Sequence, residues 1–325
     1  YKKEKFVHSY PHCWRCHSPL LYYARESWYI NTPSYKDKMI KLNNEINWFP
    51  PETGTGRFGN WLEENRDWAL SRDRYWGTPL PIWGAEVEGK MVYVAIGSIE
   101  ELKAKAVNYD EVYPAGTELD LHKPYIDRIK IKSEKYGVEM TRVTEVIDAW
   151  YDSGSMPFAQ HHYPFENKEL FERNYPSDFI AEGVDQTRGW FYSLHAIGSF
   201  IFGDKAYKNL IVNDLILDKD GRKMSKHVGN VVNPFDIMDK YGADILRWYL
   251  ISSSPPWRPK MFSEDDMLEV RNKFFDTVIN TYRFFVLYCN LLGVTQEELE
   301  KNSVPVSDRP EIDRWIISAF ENTKA

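Results

Sequence analysis

Apolar and polar positions along the chain follow two different periods, and the switches between them predict an α/β protein with a helical end. Residues 19–30 (PLLYYARESWYI) are dense in aromatic and apolar side chains and read as strand. The polar SYKDKMIKLNNEI that follows reads as helix. NWFPPETGTGRFGNW is crowded with Pro and Gly; a helix is expected from Asn60 to Arg72, ended by the two prolines of YWGTPLPIWG. From Gly84 to about Met140 the pattern becomes short strands, charged turns and one helix, IEELKAKA, which reads as a small inserted α+β region. DAWYDSGSMPF (148–158) reads as a strand running into a Gly/Ser turn, DFIAEG as a strand and NLIVNDLIL as another. Between the last two, QTRGWFYSLHAIGSFIF reads as a helix with Phe191, Leu194, Ile197 and Ile201 on one face. Strands alternating with helices of this length imply a parallel sheet, whose ligand sites lie in the turns after the strands. Beyond Ser263 only the helical period remains. Ser263 with Asp266 makes a capping-box-like start, Met267, Val270, Phe274 and Val278 mark one face, Gly293 is a stop, and PEIDRWIISAF begins another helix.

Composition sharpens this picture without changing it. The 325 residues are 43% hydrophobic and 15% aromatic, enough for two or three structural units with cores of their own. No uninterrupted apolar run approaches the roughly 20 residues of a membrane helix, and the opening stretch lacks a signal-peptide layout. A soluble, cytoplasmic protein is expected, in a reducing compartment, because three cysteines build no disulfide framework. The first residue is Tyr rather than Met, and both ends stop inside patterned sequence, so a piece of a longer chain is expected.

The net charge of -7 argues against broad coating of nucleic acid, yet DKDGRKMSKHVGN (218–230) gathers Lys219, Arg222, Lys223 and Lys226 in one loop. Lys223 and Lys226, three apart after Gly221, can both reach a polyphosphate and stabilise charge developing on leaving pyrophosphate. The alternative is a solvated basic turn, the usual fate of such a run. In EGVDQTRGW (182–190), Gly183 allows close approach of backbone to a ligand, and Asp185 either accepts from ribose hydroxyls or an amine, or merely caps the next helix. Trp150 and Trp190 either flank an apolar side chain or pack in the core.

These strings also occur together in one family. Lys223-Met224-Ser225-Lys226 resembles the KMSKS signature of class I aminoacyl-tRNA synthetases, with His227 in place of the final Ser, and DWALSRDRYWGTPLPIW, DAWYDSGS, EGVDQTRGWF and GADILRWYL follow in the order of the isoleucyl-tRNA synthetase family. Valyl enzymes resemble the chain less, lacking the Asp-Gln-x-Arg-Gly-Trp run, and leucyl enzymes share chiefly SRDRYWGTP. The resemblance covers essentially the whole chain. It implies the C-terminal part of a Rossmann-like nucleotide-binding catalytic domain: core at 1–83 and 141–217, the small insertion at 84–140, the signature loop and stem-contact region at 218–262, and the start of a helical anticodon-binding domain at 263–325. By the same resemblance Glu182, Gly183, Asp185 and Gln186, with Met224, Ser225 and Lys226, bind ATP and the adenylate. Trp150, Trp190 and Gln186 form the isoleucine pocket, and Lys226, assisted by Lys223, stabilises the activation transition state. ATP with Mg²⁺, isoleucine and the isoleucine tRNA are the implied substrates and partners, no membrane is involved, and a monomer is expected. A non-catalytic module binding tRNA or adenylate, or a valyl or leucyl relative, is the alternative reading.

Three departures temper the resemblance. The family's HIGH motif is absent, and LHAIG at 194–198 stands in the wrong place for it, so this chain alone is expected to be inactive or nearly so. The family's editing domain is absent as well. Cys13-x-x-Cys16 has zinc-ligand spacing, but four ligands are needed and no second Cys pair is near; adjacent His12 and His17 rarely converge with such a pair. Zinc is therefore expected, if anywhere, in the full-length protein. A further zinc site of some relatives needs cysteines where this chain has GAEVEG and KYGVEM, and so is expected to be lost.

Overall fold

The computed structural model describes residues 2–13, 16–226 and 228–324. They fall into two compact units, residues 1–213 and 214–325, each described by itself.

After a two-residue strand at Tyr29–Ile30 and a 3₁₀ turn at Thr32–Tyr35, the first unit has α1 (Lys36–Asn43) and β1 (Asn47–Phe49), then a π-helical turn at Thr53–Phe58 that runs into α2 (Gly59–Glu63). The helix expected at Asn60–Arg72 thus starts earlier and ends sooner. It starts in the Gly-rich run because a Cβ on Gly54 would sit 2.4 Å from Trp48 Cδ1: only glycine lets this backbone close onto the indole. It ends at Glu63 because the next residues find strand partners, Trp68–Ala69 pairing with Tyr29–Ile30 and Ser71–Arg72 with Val146–Ile147. The strand expected over 19–30 shrinks to Tyr29–Ile30. Leu21, Tyr22 and Tyr23 are well exposed, since side-chain type alone makes no strand where no ladder partner is supplied.

Next come β2 (Ile82–Val87), β3 (Lys90–Ala95), α3 (Ile99–Lys105), β4 (Lys130–Lys132) and β5 (Glu139–Arg142). The four strands form an antiparallel sheet in the order β3-β2-β5-β4, over a separate core of Trp83, Leu102, Ile129, Ile131 and Met140. Ser98 caps α3 by accepting from the Glu101 N–H. Arg142, buried, donates to Leu80 O, Glu145 O and Asp127, so one guanidinium ties this sheet to its flanking loops.

The remainder of the unit is α4 (Ala149–Gly154), β6 (Ser177–Gly183), α5 (Trp190–Ile201) and β7 (Tyr207–Asn213). A three-stranded parallel sheet runs β6-β7-β1, with Gly183 opposite Asn213 and Ile211 opposite Phe49. Its core joins Trp48, Phe58, Phe191, Leu194, Tyr207 and Leu210. Each fully buried apolar side chain there contributes about 1.5–3 kcal/mol. On α5, Phe191, Leu194 and Ile197 are buried as expected, whereas Ile201, at the last turn, is 52% exposed. DAWYDSGS is helical rather than a Gly/Ser turn. Asp148 accepts from the Trp150 N–H and caps α4, and a Cβ on Gly154 would meet the backbone carbon of Ser193 at 2.9 Å, so the glycine serves close helix packing.

In the second unit, NLIVNDLIL proves to be two strands: it breaks after β7, and β8 (Ile216–Leu217) pairs in parallel with β9 (Lys260–Met261). Between β8 and β9 lie α6 (Pro234–Tyr241) and α7 (Ala243–Ser252), over a core of Ile237, Leu246, Tyr249, Phe262 and Met267. After β9 come α8 (Glu264–Val270), a π-helical turn at Arg271–Phe275, α9 (Asp276–Leu292), α10 (Gln296–Lys301) and α11 (Glu311–Lys324). Ser263 Oγ accepts from the Asp266 N–H, and Gly293, left-handed at φ 65°, ends α9. The face expected from Met267 to Val278 is broken: Met267 is buried, but Phe274 and Val278 are exposed. The wider π-helical turn carries the residues after it onto another side of the helix. Among the described residues no helix is long and apolar enough to cross a membrane.

Candidate functional site

At the carboxyl end of β6 the chain makes a 3₁₀ turn, Val184–Arg188, before Gly189 and α5. Thr187, fully buried, pins this turn: its hydroxyl donates to Val184 O at 2.8 Å and accepts from Arg57 Nε at 2.8 Å. Gly183 has an ordinary extended backbone, φ -68° and ψ 158°, so a left-handed conformation is not what calls for glycine here. A Cβ here would fall 2.6 Å from Asp185 Oδ1, so an added methyl has to push the Asp185 carboxylate aside. Asp185 Oδ2 accepts from Gln186 Nε2 at 2.7 Å, and Gln186 Oε1 accepts from the Trp190 N–H at 3.0 Å. The helix is therefore capped by Gln186, and the exposed Asp185 carboxylate keeps acceptor capacity toward solvent. Glu182, one residue before, is exposed on β6.

Trp150 and Trp190 meet this turn from two helices. Gly189 is buried, and a Cβ on it would fall 2.9 Å from Trp150 Cη2 and 2.7 Å from Gln186 Oε1. Trp190 Nε1 donates to Ser153 O at 3.0 Å. The Trp190 indole is half-buried, while Trp150 remains 43% exposed, a large apolar surface beside polar groups. Beneath Trp150, Asp148 is buried and accepts from Arg72 at 2.7 Å and Trp68 Nε1 at 3.1 Å. Asp152 in the same helix is held above the usual carboxylate range, first by burial, against a hydrogen bond from Thr78, with Asp148 adding repulsion. Gly183, Asp185, Gln186, Trp150 and Trp190 thus come together in the first unit. Asp148, Arg72, Arg57 and Gly189, which orient them, were not singled out from the sequence. Their roles depend on partners up to 130 positions away.

The 218–230 loop belongs to the second unit. Asp218 Oδ1 accepts from the backbone N–H groups of Asp220 (3.0 Å) and Arg222 (2.8 Å), Gly221 turns with φ 76°, and Lys223 bridges back to Leu217. Met224 packs against the second unit's core. Ser225 N–H donates to Asn230 Oδ1 at 2.8 Å. Lys223 and Lys226 are exposed, and among the described residues neither has an ion-pair partner. Two exposed ammonium groups on a turned backbone suit a polyanion. His227, where the KMSKS resemblance departs, lies outside the described residues.

Near Cys13 and Cys16, the Cys13 N–H donates to Ser18 O (2.9 Å) and the His17 N–H donates to Cys13 O (2.8 Å). The Ser18 hydroxyl and backbone, then the Cys13 side chain, lower the Cys16 thiol to about 7. His12 Nδ1 faces Tyr10 O at 2.7 Å. Two sulfurs fall short of the four ligands of zinc, and among the described residues no group of three or more His, Cys, Asp or Glu gathers. Among the described residues Cys13 and Cys16 remain two ligands of the four. Elsewhere in the first unit a cavity of about 550 Å³ is lined by Leu80, Trp83, Ile96, Leu102 and Phe165, and by none of the site residues above.

Comparison with known proteins adds a further set of observations. The family model described as tRNA synthetases class I (I, L, M and V) matches residues 3–261. The isoleucine–tRNA ligase of Cytophaga hutchinsonii is 54% identical over 99% of this chain and 29% of its own length. That of Clostridium novyi is 54% identical over 98% of the chain and 29% of its own length. The chain therefore spans less than a third of the curated relatives it matches. Among solved structures, Mycobacterium tuberculosis methionyl-tRNA synthetase in complex with methionyl-adenylate has a similar fold, with a TM-score of 0.51 at 16% identity, covering 81% of this chain and 40% of that one.

Proposed function

Because the chain belongs to the class I tRNA synthetases of the isoleucine, leucine, methionine and valine group, we propose that it is part of an isoleucine–tRNA ligase and supplies one wall of the activation site. The observation that carries this reading is the hydrogen-bonded run Asp185–Gln186–Trp190 at the carboxyl end of a parallel strand, beside the exposed face of Trp150. In that reaction the isoleucine carboxylate attacks the α-phosphorus of ATP, and pyrophosphate leaves. Glu182, Gly183, Asp185 and Gln186 hold the adenylate, Asp185 accepting from its ribose and Gly183 leaving room for backbone approach. Trp150 and Trp190 wall the isoleucine side chain, and stiff indoles read its shape. Met224 anchors the signature loop, Ser225 joins the ATP contacts, and Lys226 with Lys223 stabilises charge on the departing pyrophosphate. Mg²⁺ bound with the ATP would share that charge, and no covalent enzyme intermediate is needed.

On the same premise residues 84–140 are an insertion in the catalytic core, 263–325 open a helical domain that contacts the isoleucine tRNA, and the protein works as a cytoplasmic monomer. Calorimetric titration of this chain with non-hydrolysable isoleucyl-adenylate and valyl-adenylate analogues tests the reading. Tighter binding of the isoleucyl analogue is expected. Tighter binding of the valyl analogue points to a valyl relative, equal binding of both to an unselective module, and no binding by the folded chain means that the site is shared with residues this chain does not hold.

A further inference from the structure

Lys223 and Lys226 stand on an exposed loop, and three polar contacts from one side chain account for its shape. Asn230 Oδ1 accepts from the Ser225 N–H at 2.8 Å. Asn230 Nδ2 donates to Asp218 Oδ2 at 2.8 Å and, more weakly, to Lys223 O at 3.3 Å. The amide thus takes the place of a neighbouring strand: it satisfies the backbone on both sides of Met224 and reaches across to the start of the loop. Asp218 completes the closure, because its other oxygen already holds the N–H groups of Asp220 and Arg222. Both ends of the 218–230 segment are thereby tied to the backbone that carries the two lysines. The Asn230 amide is also what chiefly holds the Asp218 carboxyl below its usual range, with the Arg222 backbone next.

We propose that Asp218 and Asn230 form a side-chain clamp that positions Lys223 and Lys226, acting as positioning residues for polyphosphate binding. This rests on the reading of the loop given above. The pairing is directional: Asp218 only accepts, and Asn230 must present its NH₂ to Asp218 and its carbonyl to Ser225. Asn230→Asp therefore sets two carboxylates face to face, whereas the exchanged pair, Asp218→Asn with Asn230→Asp, restores one donor and one acceptor across the gap. Only the weak bond to Lys223 O is then lost.

The loop carries its own probe, since trypsin cleaves after Lys219, Arg222, Lys223 and Lys226. Cleavage of a briefly opened segment follows the population of the open form. In this chain, Asn230→Ala and Asn230→Asp are expected to speed cleavage within 218–230 by about tenfold, on the scale of one or two lost hydrogen bonds, with the far-ultraviolet circular dichroism unchanged. The exchanged double variant is expected to return to within about threefold of the parent. Cleavage at the parental rate in the single variants overturns the clamp, and faster cleavage that the exchange does not reverse overturns the pairing. In the full-length enzyme, Asn230→Ala is expected to lower kcat of isoleucine-dependent ATP–pyrophosphate exchange about tenfold, with the isoleucine KM unchanged. An unaltered kcat beside a loosened loop sinks the positioning role while leaving the clamp. A parent enzyme that forms no isoleucyl-adenylate sinks the functional reading instead, and the proteolysis result then stands alone.

Discussion

The turn at 182–190 and the loop at 218–230 serve one reaction only under the proposed reading, yet they are built in opposite ways. The first is over-determined by packing: Thr187 and Gly189 are buried, Arg57 bonds into the turn, and added methyl groups at Gly183 or Gly189 collide with side chains. The second is exposed along most of its length, with Met224 as its apolar anchor and the Asp218–Asn230 contacts closing it in competition with water. A wall that reads shape gains from stiffness, because misplacement by an ångström costs discrimination. A pair of lysines that follows charge onto a leaving group gains from a backbone whose shape rests on a few exchangeable bonds.

The contrast is broken most severely at the stiff end. Gly154→Val, which drives a branched side chain into the Ser193 backbone, is expected to cost about 3 kcal/mol in urea unfolding of the first unit. Acidification acts on a similar scale through His195. It is fully buried, its Nε2–H donates to Met39 O at 2.8 Å, and burial lowers it to about 4. The unfolded chain takes that proton near pH 6.5, so the contribution is fully present above 6.5 and is lost as pH falls toward 4, about 3 kcal/mol in all. His195→Gln should flatten the stability slope between those limits; an unchanged slope would falsify the assignment.

Gly183→Ala sharpens the comparison. Its backbone angles suit alanine, so unfolding should shift by less than about 1 kcal/mol, while the displaced Asp185 carboxylate weakens binding of the isoleucyl-adenylate analogue about tenfold. The smallest effect on stability is expected at Lys226→Ala. Unfolding stays within about 0.5 kcal/mol of the parent, and in the full-length enzyme adenylate formation slows far more than isoleucine binding weakens. Equal losses in both would make the lysine structural.

Period and punctuation in the sequence were enough for much of this protein. The parallel sheet follows from DFIAEG and NLIVN alternating with a helix, the short strands of residues 84–140 from the pattern around IEELKAKA, the stop at Gly293 from its left-handed preference, and the basic loop from Gly221 among lysines. Near-range chemistry decides such features, so they are legible from near-range sequence. Tertiary structure decided the rest. PLLYYARESWYI forms only two residues of strand for want of a partner, DAWYDSGS became a helix under the Asp148 cap, and the helix at Gly54 closed onto Trp48. The neighbours of Gly183 and Gly189 decided why those positions are glycine, and Asn230 emerged as the strand substitute for its loop only once Asp218 and Ser225 lay beside it. A hydrogen bond or a steric clash needs atoms within a few ångströms, and sequence spacing states that distance only where the chain is locally regular.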